Sequence, residues 1–301
     1  MTWLAPLDIG VVMGLLMAWA VISLALSFNL LDFPDLTPEG SLPLGAILFA
    51  AVIKTGLSLW LAIAAAMLAG AAAGALTAFI HVRFRLNKFL AGILVVAISY
   101  SICLRTLGTS NIGLLNSPSL FDYVVQADGV AWGLHIGTAG LLGGLLVAGA
   151  CLVLWGVQTR RGLRVRVAGS NPIYAKSIGI SVPASLIIGL SANNAMAALA
   201  GALLAMHQGF ADVGMGQGIL ILALASMALG EHLVPESRLP FHVFVVISAA
   251  FGSILYQVLI AYAVRLGLDP VDLKLATALL VLAVIALKAS KEGHLLSERP
   301  L

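Results

Sequence analysis

The sequence predicts an all-α integral membrane protein, a polytopic helix bundle of about nine transmembrane spans that include short, broken helices. Three observations predict it: 61% of the 301 residues are hydrophobic, only 10% are charged, and the mean hydropathy is +1.07. In a soluble domain about a quarter of the residues are charged. Because a chain of this size has too little interior to hide so much apolar surface from water, lipid is its natural solvent.

The spans come directly from the apolar stretches. A transmembrane helix needs roughly 20 apolar residues, and a broken helix needs fewer. Nine stretches qualify, of which the second and seventh are short and flanked by glycine: 8–29, 42–57, 59–82, 89–107, 133–157, 183–206, 216–231, 241–264 and 271–288. We expect one membrane domain over residues 1–301, with repeat-like halves at about 1–157 and 183–288 and the connection 158–182 between them.

Basic residues set the orientation, because cytoplasmic loops of membrane proteins are rich in Lys and Arg. With nine spans and the amino terminus outside, most of the 16 Lys and Arg residues lie inside. Only Lys54, Arg105, Arg265 and Lys274 then lie outside. The sequence therefore predicts an external amino terminus, a cytoplasmic carboxyl terminus and a cytoplasmic segment at 158–176.

Small residues recur at four-residue spacing in three spans, a pattern that lets helix backbones approach closely in lipid. The three stripes are Ala66–Gly70–Gly74, Gly140–Gly144 and Ala197–Gly201–Ala205. Together they predict a compact bundle.

Several function classes lack support in the sequence. The net charge is only +3 and no long Lys/Arg run is present, so nothing indicates nucleic-acid binding. No Gly-x-x-x-x-Gly-Lys-Ser/Thr phosphate loop occurs, so if ATP powers this protein, another chain binds it. No His/Glu metal pattern and no Ser/His/Asp set stands out, so we predict no catalytic residue and no metal site.

Two segments form an internal repeat. The sequence FPDL at 33–36 follows the first span, and FADV at 210–213 follows the sixth; each leads into a glycine-containing stretch and a short apolar run. The first and sixth spans run in opposite directions in the predicted topology, so the copies are inverted, a pattern that points to a transport path. Asp35, Glu39 and Asp212 either line a water-filled path or cap helices, and both interpretations remain open.

The connection at 158–182 predicts a short helix over 172–178. Asn171 suits the N-cap, Pro172 suits the first helical position, and Gly179 suits a left-handed end. Seven residues are about two turns, too few to span a membrane. This helix either receives the motion of a separate ATPase or lies on anionic lipid with the help of the neighbouring arginines.

Several motifs together resemble a family of ABC transporter permeases, the branched-chain amino acid permease-like group, and within it the tryptophan/tyrosine-type transport permeases. The resemblance extends in order over nearly the whole chain. The motifs are DFPDLT at 32–37 with EGS at 39–41, RLNKFLAGIL at 85–94, AGSNP at 168–172 with Gly179, GFADV at 209–213, and GSILY at 252–256.

The resemblance implies a permease subunit of the bacterial inner membrane, in a homodimer or paired with a paralogue. It also implies separate ABC ATPase subunits that hold ATP and Mg, and a periplasmic or lipid-anchored solute-binding protein. Residues that couple to the ATPase would be Gly169, Asn171, Pro172, Ala175 and Gly179. Residues near the translocation path would be Phe33, Asp35, Glu39, Phe210, Asp212 and Met215.

Asn193 and Asn194, inside the sixth span, are either path residues or packing residues. A competing hypothesis is an ion- or proton-coupled secondary transporter whose acidic residues carry the coupling, since inverted repeats suit that class equally well. A membrane scaffold without a path is a further alternative.

Overall fold

The structure is a computed structural model that describes residues 5–115, 117–125, 130–131, 134–235 and 239–268, with isolated positions between 272 and 282. These residues form a helix bundle with two small two-stranded sheets. The helices are α1 (Ala5–Leu31), α2 (Pro38–Lys54), α3 (Leu59–Phe84), α4 (Lys88–Leu107), α5 (Asp122–Val125), α6 (Ile136–Gln158), α7 (Arg160–Ser170), α8 (Pro172–Ser177), α9 (Val182–Gln208), α10 (Ile219–Leu233) and α11 (Phe241–Arg265). The strands are β1 (Asn111–Gly113), β2 (Val130–Ala131), β3 (Leu134–His135) and β4 (Phe210–Asp212), and a 3-10 turn covers Val213–Gly216.

Seven helical segments among the described residues are long and apolar enough to cross a membrane: α1, α3, α4, α6, α9, α10 with its preceding 3-10 turn, and α11. The chain is therefore a multi-pass membrane protein, and the predicted all-α bundle is confirmed. The second predicted span, 42–57, corresponds to α2, which begins earlier, at Pro38, and has 17 residues. The ninth, 271–288, lies outside the described residues apart from isolated positions.

Helices α1 and α9, which precede the two Phe-x-Asp segments, pack in opposite directions. Ser23 of α1 donates from Oγ to the carbonyl oxygen of Asn193 at 2.6 Å. Further along α1, the Leu31 side chain lies against Gly189. Higher-numbered residues of α1 thus meet lower-numbered residues of α9, and the helices are antiparallel, as an inverted repeat requires.

The two ends of the bundle can be named by the elements that close them. At the α7 end, Gly169 of α7 packs against the carboxyl end of α1. At the β1 end, β1 pairs with β4, and the Leu114 amide donates to the carbonyl oxygen of Gly209 at 2.7 Å. Asp8, near the start of α1, accepts a 2.9 Å hydrogen bond from the His135 amide close to the same end.

Glycines make the close contacts at the centre of the bundle. A Cβ at Gly74 of α3 would overlap the carbonyl oxygen of Leu190 in α9, and a Cβ at Gly201 of α9 would overlap the carbonyl oxygen of Leu42 in α2. Two of the three small-residue stripes therefore pack as predicted. The third behaves differently, because a Cβ at Gly140 or Gly144 would meet no neighbouring element of the described chain.

The connection 158–182 contains two helices, α7 and α8, whereas the sequence predicts only the second of them. Thr159 accepts a 3.2 Å hydrogen bond from the Gly162 amide through Oγ1 and so caps α7. All four arginines of the connection lie on this 11-residue helix. Helix α7 was not predicted because it contains two glycines, which are poor helix formers. Its stability comes from packing against α1 and α9, which the local sequence does not show.

Candidate functional site

A buried polar cluster surrounds the start of α2. The Asp35 carboxylate accepts two hydrogen bonds, from the Thr37 amide at 2.9 Å and from Nδ2 of Asn194 at 2.7 Å. Asn194 in turn accepts from Oγ of Ser41 at 2.7 Å. Asp35, Thr37, Ser41 and Asn194 all have no exposed surface. The cluster therefore ties the first repeat copy to the middle of α9.

A second branch of the cluster extends to α3. The hydroxyls of Thr37 and Thr77 lie 2.7 Å apart, and Thr77 also donates to the carbonyl oxygen of Ala73 at 3.2 Å. Asn194 adds a 3.0 Å bond from Nδ2 to the carbonyl oxygen of Leu190. Burying polar groups is costly unless they are paired. Here each side chain of the cluster has a partner, so the cluster fixes α2, α3 and α9 in one arrangement.

The first linker, residues 32–37, is held on its other side by aromatic and basic groups. The Phe33 ring is fully buried and meets the His81 ring edge-on at a centroid distance of 5.3 Å. Lys88 donates to the backbone carbonyl of Asp32, and its Nζ lies 3.2 Å from the Asp32 carboxylate and 5.8 Å from the Phe33 ring centroid. The linker is thus anchored along its length before α2 begins.

The second linker, residues 209–218, returns from the β1 end into the bundle. Strand β4 pairs with β1, and Asp212 then accepts a 2.6 Å hydrogen bond from the Gly214 amide, which caps the 3-10 turn. Asp212 and Met215 are half-buried, whereas 44% of Phe210 is exposed. Asp212 therefore acts as a local cap in this structure.

The two linkers meet where α2 and α10 begin. Oε1 of Glu39, in the first turn of α2, accepts a 3.1 Å hydrogen bond from the amide of Gly218, the N-cap of α10. A Cβ at Gly216 would overlap the carbonyl oxygen of Glu39, so only glycine allows this approach. A carboxylate is favourable at a helix amino end because of the free amides there. Glu39 thus places a carboxylate in the first turn of α2 and also accepts from the N-cap amide of α10.

The structure brings some of the predicted path residues together and separates others. Asp35 and Asn194 belong to one cluster, and Glu39 contacts the second linker. Asn193, the neighbour of Asn194, lies on another face of α9, where its backbone carbonyl accepts from Ser23. Whether these residues line a translocation path stays a prediction.

Sequence reasoning missed Thr37, Ser41 and Thr77. A spacing of four residues places Thr37 and Ser41 on one face of the start of α2, beside Asp35, and this signal was available. Thr77 carries no comparable signal, since it stands alone in an apolar helix and its partner is 40 residues away.

The short helix at the α7 end has the predicted caps. Oδ1 of Asn171 accepts from the Tyr174 amide at 2.9 Å, Pro172 occupies the first turn, and Gly179 has a φ of 78°. The Ile180 amide donates to the carbonyl oxygen of Ala175 at 2.8 Å, which closes the helix in the manner of a Schellman motif.

One face of α8 is anchored and the other is free. Ala175 is fully buried, and Gly169 of the adjoining helix α7 packs so closely on α1 that a Cβ would overlap the carbonyl oxygen of Leu30. On the opposite side, Ile173 is 83% exposed and Tyr174 is 55% exposed. Large apolar side chains on a short, capped helix outside the spans form a surface suited to a protein partner.

Comparison with known proteins gives consistent results. The family model "Branched-chain amino acid transport system / permease component" matches residues 7–287. A tyrosine transport system permease protein of Clostridioides difficile is 33% identical over 273 residues, which are 91% of this chain and 88% of that protein. An uncharacterized protein of Rickettsia prowazekii is 29% identical over 263 residues, 87% of this chain and 90% of that protein. No solved structure matches significantly.

Proposed function

The chain belongs to the family of branched-chain amino acid transport permease components, and from that premise we propose that it is the membrane subunit of an ATP-driven (ABC-type) importer. The transported solute is an amino acid or a related small organic compound, which the similarity to a tyrosine transport permease supports. Separate ATPase subunits bind ATP and Mg, a solute-binding protein delivers the solute, and a second permease subunit, most simply another copy, completes the path. The amino terminus lies outside the cell and the carboxyl terminus in the cytoplasm.

The observation that carries this proposal is the exposed apolar face of α8. Its position at the α7 end, among the arginines, agrees with a cytoplasmic location under the positive-inside rule. Ile173 and Tyr174 fit a groove on an ATPase subunit, while buried Ala175 and Gly169 transmit force to α1 and α9. Because α8 is capped at both ends, it moves as a rigid unit.

The junction of α2 and α10 is the element that such a motion would reach. Both helices begin inside the bundle and run in opposite directions, and Glu39 and Gly218 join them. ATP binding on the partner subunits would bias the bundle between two arrangements of this junction, a population shift that needs no covalent chemistry in this chain. Asp35, Glu39, Asp212 and Met215 would lie near the solute, with Phe33, Phe210, Asn193 and Asn194 around them.

Purification from native membrane in mild detergent, followed by mass spectrometry of what accompanies the chain, tests the proposal. We expect a stoichiometric ATPase subunit with a phosphate-binding loop. An intact, monodisperse chain with no ATPase would contradict the proposal and favour a secondary transporter. Neutralising Asp35, Glu39 and Asp212 would then be the next step.

The role of α8 has its own test. Replacing Ile173 by Asp should abolish co-purification of the ATPase because a charge cannot enter an apolar groove without a large desolvation penalty. Ile173→Leu, which keeps the apolar surface, is the matched control and should retain the ATPase. Equal recovery of the ATPase with both variants would show that α8 is not the docking element.

The caps of α8 can be tested in the same system. Asn171→Ala removes the N-cap, and Gly179→Ala places a Cβ in a left-handed conformation, at about 1 kcal/mol each. We expect the double variant to lower transport-coupled ATPase activity several-fold while association between permease subunits is unchanged. Unaltered coupled activity would contradict the assignment of α8 as a rigid coupling element.

A further inference from the structure

A cavity of about 420 Å³ lies between α1, α6, α7 and α9, toward the α7 end of the bundle. Its volume is within the range of roughly 300–1,000 Å³ that is usual for small-molecule sites. Most of its walls are aliphatic, among them Leu26, Leu30, Val153, Val157, Ile188 and Met196. No residue of the coupling helix α8 or of the junction between α2 and α10 lines it.

The α6 wall of the cavity belongs to the least buried of the candidate spans in the described chain, with 11% of its most apolar stretch inside the bundle. Leu152 and Trp155 of this helix are 68% and 70% exposed. Side chains of a spanning helix that are this exposed face lipid wherever a second subunit does not cover them. An acyl chain is then the most abundant molecule that can enter the cavity from the α6 side.

Two guanidinium groups mark the α7 end of the cavity. Arg161 and Arg166 both contribute to its lining. Within the described part of the chain neither of them has a carboxylate within 4.0 Å. The described residues that line the cavity include no Asp or Glu, so among them nothing balances the positive charge, which attracts an anion. A zwitterionic amino acid would find no carboxylate among these lining residues for its ammonium group.

A third polar group lies deeper in the same cavity. Asn193 is 4% exposed, and its Nδ2 has no hydrogen-bond partner among the described residues. Gly189 packs beside Val165 of α7, and Asn193 follows it by four residues, so it lies about 6 Å further from α7 at 1.5 Å per residue. A buried amide without a partner is costly. Because Nδ2 has almost no accessible surface, a ligand acceptor at this depth satisfies it only once the Asn193 side chain turns toward the cavity.

We propose that this cavity binds an anionic phospholipid. The phosphate contacts Arg161 and Arg166, an ester carbonyl one level deeper accepts from Nδ2 of Asn193, and one acyl chain lies along the aliphatic walls of α1, α6 and α9. Basic groups between helices near the cytoplasmic leaflet are a recurrent way to hold anionic headgroups. Asn193 is the one residue that this site shares with the proposed solute path. The test of the site does not depend on transport.

Arg160 and Arg164 provide a matched control. They lie on the same helix as Arg161 and Arg166 and are exposed, as Arg161 is, but they do not line the cavity. Replacing either pair of arginines by Gln removes two positive charges from the same helix. General attraction of α7 to an anionic membrane would therefore respond equally to both, whereas a specific site responds only to Arg161 and Arg166.

The experiment is native mass spectrometry of the full chain released from detergent, titrated with phosphatidylglycerol or with phosphatidylcholine. We expect one phosphatidylglycerol per chain to survive where phosphatidylcholine is lost. The R161Q/R166Q variant should bind phosphatidylglycerol roughly 30-fold more weakly, and R160Q/R164Q within about threefold of the wild type. Asn193→Leu should weaken both lipids several-fold and leave the preference for phosphatidylglycerol intact.

Three results would overturn the proposal. Equal losses in the two double variants would indicate only general surface attraction. Equal binding of the two lipids by the wild type would exclude an anionic headgroup site, and this comparison decides the matter even if the R161Q/R166Q variant does not fold. Displacement of the lipid by free tyrosine or another amino acid would assign the cavity to the transported solute instead.

Discussion

The linker before α2 and the linker before α10 both carry a Phe-x-Asp sequence, yet their aspartates have different surroundings. Asp35 is fully buried and joins a cluster with Asn194, 159 positions away in the sequence. The Asp212 side chain is half-buried, and its hydrogen bond among the described residues is to the Gly214 amide in its own turn. The difference indicates that the first linker is a fixed anchor, whereas the second depends on local turns and on its contacts with β1 and Glu39, as expected for a segment of lower local stability.

The largest effect should come from Asp35→Ala. It leaves the Thr37 amide and one hydrogen of the Asn194 amide without acceptors in a fully buried position, at roughly 1–3 kcal/mol per group. We expect a loss of about 3 kcal/mol or more in the free energy of unfolding, measured by thermal or denaturant unfolding in detergent. Asp212→Ala is the control at the matching position of the second linker.

An exchange of partners makes the Asp35 comparison sharper. Asp35→Asn alone sets two amide donors against each other, and adding Asn194→Asp restores one donor and one acceptor between the two side chains. Asn194→Asp also loses the bond to the carbonyl oxygen of Leu190, but this cost is common to the single and the double variant and cancels in a double-mutant cycle. We expect a favourable coupling energy above about 0.5 kcal/mol in that cycle. Strictly additive effects would show that the two side chains do not act as a pair.

The second-largest loss of stability should come from a substitution at Gly216, where the two linkers approach each other. Gly216→Ala would push a Cβ into the backbone carbonyl of Glu39, which cannot move aside as a side chain can. Overpacking of this kind costs about 1–3 kcal/mol. Gly214→Ala is the control, because its nearest neighbour is the movable Asp212 carboxylate. Equal unfolding temperatures of the two variants would contradict the close junction.

A smaller effect is expected from Glu39→Ala, which removes the acceptor for the Gly218 amide. Glu39 is half-buried, so partial hydration of the freed amide limits the loss to about 1 kcal/mol. Hydrogen exchange at the start of α10 should accelerate while exchange at α2 changes little. Glu39→Gln retains an acceptor oxygen and should exchange as the wild type does; acceleration in both variants would point to charge rather than the hydrogen bond.

How much of this the sequence predicts depends on the range of the interaction. The caps of α8 are local, since Asn171 reaches the Tyr174 amide three residues away, and the sequence predicted them correctly. The opposite directions of α1 and α9 also follow from the charge distribution, whereas the internal repeat stays a prediction. The partners of Asp35 could not be predicted, because only the packing of α2 on α9 decides that Asn194 faces it and Asn193 does not.

The smallest effect should come from Asp212→Ala. The substitution frees one amide of a four-residue 3-10 turn that also borders the β1–β4 pair, so we expect about 0.5 kcal/mol, the low end for losing an N-cap. Asp212→Asn can cap equally well and should match the wild type in unfolding, whereas any difference between the two in solute uptake would come from the charge. A stability loss for Asp212→Ala as large as that for Asp35→Ala would show that the two linkers are equally fixed, and the contrast between them would be lost.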